Sequence, residues 1–365
     1  MSEWQTFCLK DLGKIVGGAT PPTNNPKNYG NKIAWITPKD LSTLQGRYIK
    51  KGSRSISRLG FKSCSCVLLP KHAILFSSRA PIGYVAIAKK RLCTNQGFKS
   101  IIPNKKIYFE FLYYLLKYHK DNISNIGGGT TFKEVSGATL GLFEVKIPPT
   151  YYEQQKIART LSVLDQKIEN NHKINELLHT LAYKIYEYYF KYKPKNAKLE
   201  QIIIENPKSN IMVKNAQKTQ DKYPFFTSGD NVLSYPKSII DGRNCFLNTG
   251  GNAGIKFYVG KASYSTDTWC IGANEFSDYL YLLLSSIKTH INQSFFQGTS
   301  LKHLQKNLLK KYPIYMPSVH EIKKFNQIMM PLLTLISINT RTSKKLEQIR
   351  DFLLPLLLKQ QVKPK

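Results

Sequence analysis

Apolar residues recur along one stretch of this chain at a spacing that suits a helix. After Pro148-Pro149, which forbid helix before them, Ile157, Leu161, Leu164 and Ile168 follow at spacings of four, three and four. The stripe meets the polar Asn171 and resumes at Leu178, Leu181 and Ile185. Thr150 stands at the cap position, with Glu153 at the capping-box position three residues on. An apolar seam interrupted by one amide predicts a coiled coil whose register the buried Asn sets. A helix of this span would be roughly 60 Å long, which suits a spacer better than a core helix.

The same pattern returns later in the chain. At an offset of 168 residues, Pro149 falls on Pro317, Glu153 on Glu321 and Lys156 on Lys324. The stripe falls on Phe325, Met329, Leu332 and Ile336, Asn171 falls on Asn339, and Leu178 and Leu181 fall on Leu346 and Ile349. Chance would repeat an apolar stripe, but not its proline, acid and polar interruption in phase. Upstream, Phe111-Leu112-Tyr113 aligns with Tyr279-Leu280-Tyr281, and Gly129-Thr130-Thr131-Phe132 aligns with Gly298-Thr299-Ser300-Leu301 after a one-residue slip. Leu75–Arg79 aligns loosely with Phe246–Gly250.

The chain is therefore expected to hold four parts: a domain over 1–149, a long helix over 150–193, a second domain over 194–317 and a second helix over 318–365. The expected fold class is α+β, with two tandem mixed α/β domains joined by two long helices packed as an antiparallel, pseudo-twofold coiled coil. Pro331 stands where the first helix has Val163, which predicts a kink, or a short helix before it and the main one after. Short strands are expected at Ile33–Ile36, Ala73–Phe76, Tyr84–Ala88 and Phe225–Phe226, and aromatic-rich helices over Phe109–Tyr118 and Phe276–Ile291.

Charge narrows the partner. Lys and Arg number 54 against 23 acids, a formal net charge of +31. So strong a positive balance points first to nucleic acid and second to an acidic membrane surface. No apolar stretch reaches bilayer length, and Met1-Ser2-Glu3-Trp4 does not open like a secretory leader, so a cytoplasmic protein is expected. Cys8, Cys64, Cys66, Cys93, Cys245 and Cys270 form no Cys-x-x-Cys pair, and the His residues are scattered, so reduced thiols are expected and a metal is not.

Candidate DNA contacts begin with the basic run Arg47, Lys50, Lys51, Arg54, Arg58 and Lys62, interspersed with serines that suit phosphate. The turn Ser77-Ser78-Arg79 lies between two buried strands, and its arginine can bond guanine in two places. Gly129, Thr130 and Thr131, with Lys133 beside them, allow backbone amides to approach a phosphate. In the second copy the candidates are Ser228, Asn248, Thr249, Lys256, Thr299, Ser300 and Lys302, a different chemistry that should read a different sequence. No phosphate-binding loop, dinucleotide glycine pattern or Asp/Asn-Pro-Pro-aromatic motif occurs, and the acids are dispersed. This argues for a binding protein without cofactors. The competing classes are an enzyme acting alone on nucleic acid and an RNA-binding or scaffold protein.

The run Pro148-Pro149-x-x-x-Glu153-Gln154-Gln155-Lys156-Ile157-Ala158, followed by Leu164-Asp165-x-Lys167-Ile168 and Asn175-x-Leu177-Leu178, resembles the central conserved region of type I restriction–modification specificity subunits. Gly129-Thr130-Thr131 matches the loop that commonly precedes it. The resemblance implies two target-recognition domains reading a bipartite double-stranded DNA site, with the coiled coil as a ruler for the gap. It also implies two methyltransferase subunits beside the helices, and restriction (motor-nuclease) subunits joining that core. Catalysis, S-adenosylmethionine and ATP would belong to those partners. Within the family, the alternative is a system whose single partner both methylates and cleaves. Ile322 in place of Gln154 departs from the pattern in the second helix.

Overall fold

The computed structural model describes residues 3–79, 81–129, 133–216 and 222–364. It contains two compact units, Met1–Asn170 with Ser343–Lys365, and Asn171–Thr342. Four helices carry their cores: α1 (Phe109–Asn125), α2 (Tyr151–Tyr186), α3 (Ser277–Ser286) and α4 (Val319–Leu358).

In the first unit a five-stranded sheet runs in the spatial order Gly13–Gly17, Lys99–Pro103, Ile74–Phe76, Val85–Ala88, Tyr48–Ile49. Its pairs are antiparallel except the last. A second sheet orders Arg54–Ile56, Tyr29–Ile36 and Cys93–Thr94. The α1 sequence lacks Gly and Pro, and its Phe111, Leu112, Leu115 and Leu116 share one core with Ile74, Phe76, Ile87 and Ile101 of the sheet. The basic run from Arg47 to Lys62 contributes the buried Ile49 and Ile56 to two short strands.

The second unit repeats the plan. Ile204–Glu205, Thr268–Gly272, Arg243–Asn248 and Ile255–Val259 form an antiparallel sheet, and Leu233–Tyr235, Tyr223–Phe226 and Ser263–Tyr264 form the smaller one. Even the parallel pairing recurs: Trp35 opposite Cys93 in one unit, Phe226 opposite Tyr264 in the other. The helical span expected over Phe276–Ile291 is divided at Ile287 into α3 and a shorter helix, Lys288–Ser294.

The long helices pair antiparallel within each unit. In the first, Ile157, Ala158 and Leu161 of α2 share a core with Leu354, Leu357 and Leu358 of α4, while Asp165 meets Arg350. In the second, Asn175 meets Asn339, and Phe190, just past α2, meets Phe325. In both units numbering rises on one helix as it falls on the other. Ile168, Met329 and Ile336 are buried, and Leu164 and Leu332 are half-buried.

Three details differ from the periodicity. Leu181 and Ile349 point to solvent, each 47% exposed, and in α2 the seam is carried on by Ala182 and Tyr186. Continued at alternating steps of four and three, the stripe reaches Leu178 and then Ala182 in α2, and Leu346 and then Arg350 in α4, so Leu181 and Ile349 each stand one residue off the seam. The amide partner of Asn339 is Asn175 (2.9 Å), which also donates to Thr340 Oγ1 and the Ile336 carbonyl at 3.3 Å. Antiparallel pairing sets Asn339 against Asn175, not against its repeat equivalent Asn171. Finally, α4 runs unbroken for 40 residues through Pro331. Both Pro331 and Gln327, whose carbonyl loses its donor, are exposed, so water can satisfy that oxygen.

Both long helices begin on a hydroxyl cap. Thr150 Oγ1 accepts the Glu153 N–H (3.2 Å), and Ser318 Oγ accepts that of Glu321 (3.3 Å) while Glu321 Oε2 accepts the Ser318 N–H (2.9 Å). The Lys193 ammonium, then the Ser318 backbone, pull the Glu321 carboxyl down to about 2. This folded value lies below the ordinary 4.5, so the contribution is complete above that pH and disappears as pH falls through about 2. Thermal melts between pH 5 and pH 2 should therefore show an acid loss that Glu321→Gln reduces. An identical acid slope in the variant would remove Glu321 from the cap.

Candidate nucleic-acid interface

In each unit two turns far apart in sequence are joined by the same backbone hydrogen bonds. In the first, a hairpin closes between Gly128 and Glu134, and Glu134 bridges to Arg79. The Val135 N–H then donates to the Ser78 carbonyl at 2.9 Å. In the second, the hairpin closes between Gln297 and His303, His303 bridges near its base to Gly250, and the Leu304 N–H donates to the Thr249 carbonyl at 3.0 Å. Gly129 (φ +124°) and Gly298 (φ +140°) open the two hairpins in the left-handed region, where a side chain would strain the backbone. At Gly298 a Cβ would also sit 2.4 Å from the Leu301 carbonyl. Sequence had singled out both turns of each unit; the structure brings each pair together.

The side chains on this shared frame differ. Glu134 lies 3.7 Å from Arg79 Nη1 and 3.3 Å from Lys99 Nζ, in a cluster about one-third exposed. Gly250 offers no side chain, and the place its Cβ would take lies 3.9 Å from His303 Nδ1. Glu134, Lys99 and His303 were missed in the sequence. Extending the Gly-Thr alignment by five residues, which sets Glu134 on His303, would have found two of them.

Other candidates serve the fold. Ser77 Oγ donates to the Pro81 carbonyl and accepts the Tyr84 N–H, and Ser78 Oγ donates to the Gly97 carbonyl; both serines are fully buried. Asn248 is buried, donating to the Asn252 carbonyl and accepting from Lys256 Nζ, which also donates to the Thr227 carbonyl. Ser228 and Thr249 are half-buried and hydrogen-bond the Asp267 carbonyl. These groups shape the turns instead of facing outward. Lys50, Lys51, Arg58, Lys133, Thr299, Ser300 and Lys302 are exposed, and so is Arg54, whose guanidinium lies 4.2 Å above the Tyr29 ring. Thr130 and Thr131 lie outside the described residues.

Arg47 is the clearest correction. It is 4% exposed and donates to Glu169 (3.1 Å) and Glu110 (3.0 Å), with Asp165 at 4.0 Å. Burial works against its charge, yet Tyr114, Glu169 and Glu110 hold its pKa above the ordinary value. Asp165 also accepts from Tyr114 Oη (2.5 Å) and Arg350 (2.7 Å). A basic run read by composition thus hides one residue that ties the start of a strand to α1 and α2, while Asp165 links the same network to Arg350 of α4.

The second unit builds its joint differently. Asp278, at the repeat position of Glu110, takes a bidentate pair from Arg243 (2.6 and 2.7 Å), which also donates to Thr334 Oγ1 (2.9 Å). Arg243 comes from a different strand than Arg47's neighbours do. Gln154 and its repeat partner diverge too: Gln154 accepts the Tyr108 N–H and donates to the Lys106 and Pro148 carbonyls, whereas Ile322 packs in an apolar core.

All six cysteines are free thiols, and no group of metal-ligating side chains comes together among the described residues. No described helix is long and apolar enough to cross a membrane.

Two tandem units of one plan, each closing onto a long helix, are the architecture of a recognition protein with duplicated readers. The sequence profile of the type I restriction modification DNA specificity domain matches residues 1–180 and 195–348, and the chain belongs to that family. It is a specificity subunit of a type I restriction–modification system. It is 33% identical, over a 405-residue alignment, to the type I restriction enzyme MjaIX specificity subunit of Methanocaldococcus jannaschii, covering 98% of this chain and 93% of that one. With the HindI specificity subunit of Haemophilus influenzae it shares 31% identity over 177 residues, 46% of this chain and 37% of the other. The crystal structure of a type I S subunit from M. genitalium shares the fold, with a TM-score of 0.65 at 18% identity, covering 97% of this chain and 96% of that one.

Proposed function

We propose that each unit reads one part of a bipartite duplex-DNA site through its joined turns, with the helix pair fixing the gap between the parts. The carrying observation is that one backbone frame presents Arg79 and Glu134 in the first unit but Gly250 and His303 in the second. Two unlike readers on one frame suit an asymmetric target. The net charge of +31 supplies sequence-independent attraction to phosphate, with Lys50, Lys51, Arg54 and Arg58 exposed for it. Methyl transfer and cleavage, and the S-adenosylmethionine and ATP they consume, then belong to two modification subunits and to restriction subunits that assemble with this chain. The chain itself does no chemistry and works in the cytoplasm.

Arg79 tests the reading. A bidentate arginine–guanine contact discriminates by about 1–3 kcal/mol. Arg79→Ala should relax one position of one half-site by that amount, measured by mapping methylated bases in cells carrying the complete system. A uniform loss over all sequences would make Arg79 a phosphate contact, and an unaltered methylation map would remove it from recognition.

A further inference from the structure

We infer that Glu134 is a specificity-determining residue, holding the Arg79 guanidinium in the pose that meets a base edge; the inference rests on the reading of Arg79 given above. Three observations carry it. First, the frame does not need this carboxylate. The second unit makes the same hairpin closure and the same bridge with His303 opposite Gly250, so the backbone bonds form without any acid at the position. Second, the carboxylate divides its oxygens between two cations, Oε2 facing Arg79 Nη1 at 3.7 Å and Oε1 facing Lys99 Nζ at 3.3 Å. The Lys99 bond fixes the carboxylate from below, and Lys99 stands on a central strand of the five-stranded sheet. Third, the Arg79 contact is an ion pair longer than a hydrogen bond, and the guanidinium forms no hydrogen bond among the described residues. Its donors thus remain available for the two acceptors of guanine.

A carboxylate at a DNA-facing turn repels phosphate as well as aiming its arginine. It therefore lowers binding to unrelated sequence while sharpening the choice of base. Removing it should do both things in reverse. An ion pair this exposed adds little to stability, so the substitution tests recognition and not folding.

The experiment uses the full chain assembled with its modification subunits, and selects duplexes with both half-sites randomised. Arg79→Ala should lose the preference at one position of one half-site. Glu134→Gln should weaken the preference at that same position about tenfold, raise binding to unrelated duplex, and leave the other half-site intact. Glu134→Asp, which keeps the charge, should recover part of the preference. If Glu134→Gln kept the full preference while Arg79→Ala lost it, the inference would fail and the reading of Arg79 would stand. If Arg79→Ala changed nothing, both would fail. A loss in Glu134→Gln spread over every position of both half-sites, with an unchanged thermal melt, would also overturn the inference.

Discussion

Asp165→Ala should cost the first unit about 3–5 kcal/mol, because it removes one member of a buried ionic network and leaves the others uncompensated. Asp165 is 4% exposed and serves three partners: Tyr114 Oη at 2.5 Å, Arg350 at 2.7 Å and Arg47 at 4.0 Å. Alanine strands a buried phenol without an acceptor and leaves Arg350 with only Asp351, itself largely exposed. Arg47 keeps Glu110 and Glu169, so the damage should centre where α1, α2 and α4 meet and spare the sheet. Tyr114→Phe, which removes one donor and no charge, should cost about 1 kcal/mol. Urea unfolding with a fitted slope distinguishes these values. A loss below about 1 kcal/mol in Asp165→Ala would mean that water screens these charges, as at a surface pair.

Phe190→Ala should cost the second unit a similar 3–5 kcal/mol, but by cavity formation. The ring is 1% exposed and sits 5.0 Å from Phe325, 5.2 Å from Tyr279 and 6.0 Å from Tyr315, centroid to centroid. It stands on the π turn Glu187–Lys191 that finishes the first long helix, so one side chain fastens that turn to α3 and the start of α4. The aromatic neighbours are large, with Tyr279 and Phe325 edge to face and Tyr315 stacked, which limits collapse into the void. Phe190→Leu should lose less than half as much. Hydrogen exchange should show amides of Tyr279–Leu284 opening early in the alanine variant, and unaltered protection there would rule out this role.

The long helices were legible because their apolar spacing is local and occurs twice in phase. What periodicity could not give was the partner of each position. Asn171 and Asn339 occupy equivalent places in the repeat, yet an antiparallel seam sets Asn339 against Asn175. Arg47 reads as part of a phosphate-contacting basic run because the acids that bury it lie 63 and 122 residues away. Burial of a charge depends on such distant partners, which composition does not reveal. The two recognition turns were each visible as glycine and polar breaks between strands. That Glu134 faces Arg79, and His303 faces Gly250, emerges only when the chain closes its hairpins. Pro331 leaves α4 unbroken for a related reason: its cost depends on whether the orphaned carbonyl meets water.

The different origins of Arg47 and Arg243 limit how the protein can be re-engineered. Each globular half carries an arginine shaped to its own stretch of long helix. Arg47 requires Asp165 and Glu169, whereas the repeat equivalents of those acids are Leu333 and Ser337. Transplanting the first half onto the other's helix would thus bury a cation against leucine and serine. A working chimaera with new DNA specificity would have to move the segment through Glu169 along with the reader, so the unit of exchange is a head together with its own socket.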